Sequence, residues 1–259
     1  MSFYIIFDFE FNQDFSDEKI IGGTKSSYPF EIIQIGAIKL DAKLNTIAHF
    51  NRYVRPVIYS NITPFITELT GITTVQLQSE HTFPDVYQDF IEFIGTDSIF
   101  LSWGRTDVKE LFRSADYFKL DSRLLPRLFI DLQPYASLYL KQPEKKLLRL
   151  QYTVEALGIT QAYPFHNAYH DAYYTAEIFK QIGYTSMKPM LYSPQDTIWN
   201  KQNRVTKKII DYASLIHQFE KMYQRPMSIE EQEIIKLAYK MGKTGQFIKL
   251  PPQVLQFPL

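Results

Sequence analysis

"FYIIFDFEF", residues 3–11, sets two carboxylates, Asp8 and Glu10, into a run of bulky apolar residues. The run is short, aromatic and rich in branched side chains, which predicts a central strand. Side chains alternate faces along a strand, so Asp8 and Glu10 project together while Phe7, Phe9 and Phe11 project the other way. Neighbouring carboxylates in an apolar setting repel, and their ionised forms are costly unless something compensates. A divalent cation does so directly, and oxygen-only ligation suits Mg²⁺ or Mn²⁺. The other reading is a polar edge strand with both acids in water, and Asp-x-Glu alone does not decide between them.

Outward from this stretch, "FEIIQIGAIKLD" (30–41) and "TIAHFNRYVRP" (46–56) read as two more strands joined by a turn at "DAKLN". Short helices are expected over 63–73, ended by Gly71, and over 83–95, ended by Gly95. Strands at 98–103 and 127–132 alternate with helices at 106–118, 133–141, 150–157 and 168–182. The order predicts an α/β fold: a mixed five-stranded sheet, an antiparallel meander continued by parallel strands, flanked by helices. Ligands of such sheets bind near the carboxyl ends of the parallel strands.

"GYTSMKPMLYSP" (183–194) carries two prolines and several turn formers, so a boundary is expected there, with domains at 1–183 and 184–259. In the second part Lys201, Arg204, Lys207 and Lys208 lie at near-helical spacing, and Ser228 with Glu231 forms a capping box opening a helix that Gly242 closes. The final "LPPQVLQFPL" reads as extended, so the extension is mostly helical. It is also basic. Residues 184–259 hold 11 Lys and Arg against 6 Asp and Glu, leaving 17 against 22 in the rest of a chain with 28 of each.

At 259 residues, 45% hydrophobic and 15% aromatic, the chain can fill a proper core. It has no cysteine, which excludes disulfides and thiolate chemistry and removes zinc's usual soft ligands. No apolar run approaches the roughly 20 residues of a membrane span, and no signal peptide is evident, so a cytoplasmic protein with no membrane partner is expected.

Two further segments bear on the acids. Asp107, in "LSWGRTDVKELF", follows a strand at a helix start, where with Glu110 it also fits a helix cap and capping box. "FHNAYHDAYYTAEIF" (165–179) places Asp171 in the first turns of a helix and His166 in the loop before it, while His170 is a structural or surface histidine.

The joint pattern, Asp8-x-Glu10, Asp107 and His166-x-Ala168-x-x-Asp171-Ala172, closely resembles the DEDD 3′→5′ exonucleases in their histidine-containing branch, on the ribonuclease H-like fold. "EIIQIGAIKLD", "LTGIT" and "FPDVYQDFIEFI" also read like that family, and the resemblance covers about residues 3–182. "DFEF" and "SWG" lean toward the sub-branch of RNA-trimming exonucleases and a bacterial exonuclease-like inhibitor of a sporulation kinase pathway. The chain departs after Glu10, where many members have Ala-Thr or Met-Thr and this one has Phe11-Asn12.

The resemblance implies removal of 5′-mononucleotides from single-stranded RNA or DNA 3′ ends with two Mg²⁺ or Mn²⁺ ions. Asp8, Glu10 and Asp171 would hold the first metal, Asp8 bridging to the second, and Asp107 would act through water. His166 would serve as general base, since imidazole changes charge near neutral pH. Phe11, Asn12 and Trp103 are candidate substrate contacts, and the long polar segment 12–30 a loop over the site. The basic segment from Lys201 to Lys208 would follow backbone phosphate or form a solvated helix face. The alternatives are a binding module on the same fold with vestigial acids, and a different metal-dependent hydrolase. The complete set of acids and histidine disfavours the first. The five scattered histidines disfavour a His-rich dinuclear site.

Overall fold

The structure is a computed structural model that describes residues 3–13, 30–143, 146–183, 187–193 and 210–244. The chain divides into two compact units, Met1–Ile198 and Trp199–Leu259. In the first, strands β1 (Phe3–Asn12), β2 (Glu31–Leu40) and β3 (Thr46–Tyr53) precede helices α1 (Pro64–Thr70), α2 (Thr74–Leu77) and α3 (Phe83–Ile94). β4 (Ser98–Ser102), α4 (Thr106–Tyr117), β5 (Leu128–Asp131), α5 (Leu132–Tyr139), α6 (Leu150–Ala156), α7 (Ala168–Ile182) and β6 (Met190–Leu191) follow.

The sheet order is β3-β2-β1-β4-β5-β6. β1–β2 and β2–β3 pair antiparallel, while β1–β4 and β4–β5 pair parallel, which is the expected mixed arrangement. The sheet has six strands rather than five, because Leu128 and Phe129 pair antiparallel with Leu191 and Met190. A two-residue strand between prolines has no room for periodicity, and in the sequence it reads as linker. It also carries the sheet past the boundary expected at Gly183.

In the second unit, α8 (Tyr212–Tyr223) is capped by Asp211, whose Oδ1 accepts from the Ser214 N–H at 2.9 Å. α9 (Ile229–Thr244) opens on the Ser228–Glu231 capping box. It runs through Gly242, where a stop was expected. A glycine ends a helix by taking a left-handed backbone, and Gly242 does not do so. The polar segment at 14–29, the basic positions from Lys201 to Lys208 and the final "LPPQVLQFPL" lie outside the described residues. Among the described residues no helix is long and apolar enough to cross a membrane.

Two apolar layers fix the sheet. On one face Ile5, Phe7, Phe9 and Phe100 meet α3 and α4 through Val86, Phe90, Ile94, Val108 and Leu111. On the other, Tyr4, Ile6, Leu101 and Ile130 meet Ala136, Val154, Ala172, Ala176 and Phe179 from α5, α6 and α7. Asp8 and Glu10 continue the second row of β1, so they emerge beneath the start of α7. There α7 reaches the sheet backbone itself. A Cβ built on Gly36 would stand 2.1 Å from the Tyr169 nitrogen and 2.2 Å from the Ala168 carbonyl carbon. Gly36 is the partner of Asp8 across the β1–β2 ladder. A glycine inside an apolar strand marks such a close approach. Gly36→Ala therefore has to push α7 off the sheet and is expected to cost at least about 2 kcal/mol. Urea unfolding measures this, and a loss below about 0.5 kcal/mol would contradict the contact.

Candidate active site

Three segments distant in sequence meet at the carboxyl end of β1. One carboxylate oxygen from each of Asp8, Glu10 and Asp171 lies within 4.8 Å of the others. β1 supplies the first two on one face, as the alternation requires. A bulge in β2 opposite the Glu10–Phe11 step lies beside them, where Glu10 pairs with Gln34 and Phe11 with Ile32. α7 supplies Asp171 from its first turn. Asp107 is buried in the first turn of α4, directly after β4, the parallel neighbour of β1. It is not the helix cap. Arg105 holds that position, and Glu110 turns away to Arg113 at 2.7 Å.

The electrostatics are those of unmatched negative charge. Burial, then repulsion from Asp107, Asp171 and Glu10, lifts the Asp8 carboxyl well above its usual range. Burial and the charges of Asp171 and Asp107 push Glu10 to about 8. Burial raises Asp107 to about 7, with Glu110 and Asp171 adding, against hydrogen bonds from its own and the Phe9 backbone. Asp171 is raised to about 7 by burial, held back by the His166 N–H. Among the described residues no cationic side chain figures in the charges acting on these four. The Asp171 Oδ1 is buried and has no hydrogen-bond partner among the described residues. A buried oxygen without a donor is rare and marks a place for an unseen partner.

His166 stands beside the cluster in the loop before α7. Its side chain is exposed, and its N–H donates to Asp171 Oδ2 at 3.2 Å. Its backbone is left-handed, with φ of 63°, a conformation that costs a non-glycine residue about 1–2 kcal/mol. Surrounding contacts hold it there. Asn167 caps α7 by accepting from the Tyr169 and His170 N–H groups at 3.1 and 3.3 Å. Gln34, fully buried on β2, donates to the Asn167 Oδ1 at 3.3 Å and accepts the Ala168 N–H at 3.2 Å. His170 is structural: its Nδ1 lies 3.0 Å from the Pro164 carbonyl, and its ring stacks on Tyr163.

Gln34, Gly36 and Asn167 support the site and were not singled out in the sequence. Their signals were a lone amide and a glycine inside an apolar strand, and an asparagine before a helix. The expected substrate contacts fare unevenly. Asn12 is fully buried and donates to the Tyr59 and Asn61 carbonyls at 3.0 Å each, so it fastens a loop. Phe11 packs edge-on to Phe9 at 6.0 Å, on the face opposite the acids. Trp103 is half-buried in the layer shared with α7, its indole N–H buried without a partner among the described residues.

Known proteins share this architecture. The nuclease domain of 3′hExo, a DEDDh family member bound to rAMP, superposes with a TM-score of 0.60 at 24% identity. The match covers 74% of this chain and 96% of that one, and at this identity it shows the fold. ERI1 exoribonuclease 3 of Bos taurus, Homo sapiens and Mus musculus is 28% identical over 135 residues, 45% of this chain and 37% of the relative. A PolC-type DNA polymerase III from Clostridium perfringens is 32% identical over 174 residues, 65% of this chain and 11% of the relative. The chain thus spans well under half the length of these curated relatives. The exonuclease family model matches residues 5–179, from the strand before Asp8 to the helix after Asp171. The chain belongs to that exonuclease family.

Proposed function

We propose that this chain removes 5′-mononucleotides, one at a time, from the 3′ end of single-stranded RNA or DNA. Two divalent cations, Mg²⁺ or Mn²⁺, would act at the acid cluster. The observation that carries the reading is the convergence of the Asp8, Glu10 and Asp171 oxygens within 4.8 Å, beside a buried Asp107. The donors are all hard oxygens, one of them buried without a partner, and their mutual repulsion is what a cation relieves. In this reading Asp8, Glu10 and Asp171 would hold the cations, with Asp107 beside them. When bound, such ions supply Lewis acidity that acidifies water and offsets charge on the departing 3′ oxygen.

His166 takes the proton from the attacking water, and its exposure lets it return that proton to solvent. The sheet and α7 fix the carboxylates so that little reorganisation is needed as charge develops. The 3′hExo structure with rAMP, a nucleoside monophosphate of the product class, supports this outcome. Matches to an exoribonuclease and to a DNA polymerase leave both strand types in the substrate class.

Asp8→Asn is expected to lower turnover at least about 10³-fold, because the acids act as one unit. The assay is digestion of 5′-labelled single-stranded RNA and DNA with Mg²⁺, Mn²⁺ or chelator. A ladder formed by the variant at wild-type speed would overturn the site.

The pH dependence has a definite sign. Glu10 titrates at about 8 and Asp107 and Asp171 at about 7 in the folded chain, above their range in the unfolded one. The folded state therefore binds more protons across that window, and metal-free stability falls as pH rises through it. A bound Mg²⁺ or Mn²⁺ would stand in for those protons. The rise in melting temperature on adding either ion should be larger at pH 8 than at pH 6, and an equal rise at both would count against the cluster as the binding site.

A further inference from the structure

We infer that Tyr174 is a positioning residue for His166, a role that rests on the reading of His166 as the base. Tyr174 lies one turn beyond Asp171 on α7 and is fully buried, yet its hydroxyl is paired at the loop that carries His166. It accepts the Tyr163 N–H at 2.7 Å and donates to the Tyr163 carbonyl at 2.7 Å, so one hydroxyl grips both polar groups of a single residue. Its ring stacks on Phe165, the neighbour of His166, at 4.7 Å and 28°. With His170 on the Pro164 carbonyl and Asp171 on the His166 N–H, successive loop residues are tied to α7. These ties oppose the tendency of the left-handed His166 backbone to relax.

A general base works only within hydrogen-bond reach of the proton it removes, and a misplacement of about 1 Å costs on the order of 10²-fold in rate. The buried hydroxyl thus fixes where the imidazole stands without touching substrate. Tyr174→Phe keeps the ring, its packing and its stack on Phe165, and removes only the grip on Tyr163.

The test is a double-mutant cycle on the full chain, read as kcat and KM with a short single-stranded oligonucleotide. Folding is checked by circular dichroism. Tyr174→Phe should lower kcat about tenfold or more with KM little changed, and His166→Ala should lower it about 10²- to 10⁴-fold. In the His166→Ala background Tyr174→Phe should change kcat less than about twofold, because the imidazole it places is gone. Effects that multiply, with His166→Ala slow, overturn the positioning role. His166→Ala at the wild-type rate overturns the reading of the base instead. Should Tyr174→Phe fail to fold, His170→Ala, which removes the tie at Pro164, takes its place in the same cycle with the same criteria.

Discussion

The contact between α7 and β2 at Gly36 is the constraint on which the site depends. Asp171 lies on a helix and Asp8 on a strand, and helix-on-sheet packing ordinarily leaves side chains between the two backbones. Here the first turn of α7 rests on strand backbone, at the residue paired with Asp8. Gln34, two residues earlier on the same face, bonds the Asn167 side chain and the Ala168 N–H and so fixes the helix at that spot. Removing one Cβ and adding one amide thus sets the separation of two carboxylates whose sequence positions differ by more than 160 residues.

The acids can be weighed against Glu31, a carboxylate at the start of β2 that is also buried. Its oxygens accept the N–H groups of Val57, Ile58 and Tyr59 at 2.6, 2.9 and 2.7 Å, so its charge is met by three donors. It holds a loop in place. Asp171 is built the opposite way, with a backbone donor on one oxygen and, among the described residues, none on the other. Burial by itself does not separate structural from functional acids. Glu31 and Asp171 differ in their donors, and the core layers on both sides of β1 supply the stability that the mutually repelling cluster removes.

The same contrast explains what was legible in the sequence. β1 and the alternation of Asp8 and Glu10 against Phe7, Phe9 and Phe11 are local properties, and they read through directly. Helices α1 and α3 ended at Gly71 and Gly95 as expected, because both glycines take positive φ. Gly242 looks the same in sequence and continues its helix, since only the backbone beyond it decides whether a left-handed turn is needed. Asp107 beside Glu110 fits a capping box locally, but Glu110 found Arg113 and the carboxylate of Asp107 turned inward. Asn12 read as a polar residue beside the acids and proved to be a loop fastener, because its partners, Tyr59 and Asn61, lie nearly 50 residues away. What escaped the sequence was long-range pairing of polar side chains, which leaves no periodic trace.

One helix carries both Asp171 and the ties on the His166 loop, and this has a mechanical consequence. The base proposed here must reach a buried cluster and still exchange its proton with water, so it belongs on an exposed loop, where backbone is ordinarily mobile. Anchoring that loop to the sheet would make the distance between base and carboxylates depend on every shift of α7. Anchoring it to residues 170, 171 and 174 makes loop and Asp171 move as one body. The remaining adjustable distance is that between α7 and β1, which Gly36 fixes by direct backbone contact and Gln34 by its side-chain amide. The exposed imidazole therefore inherits the rigidity of the sheet through a single helix.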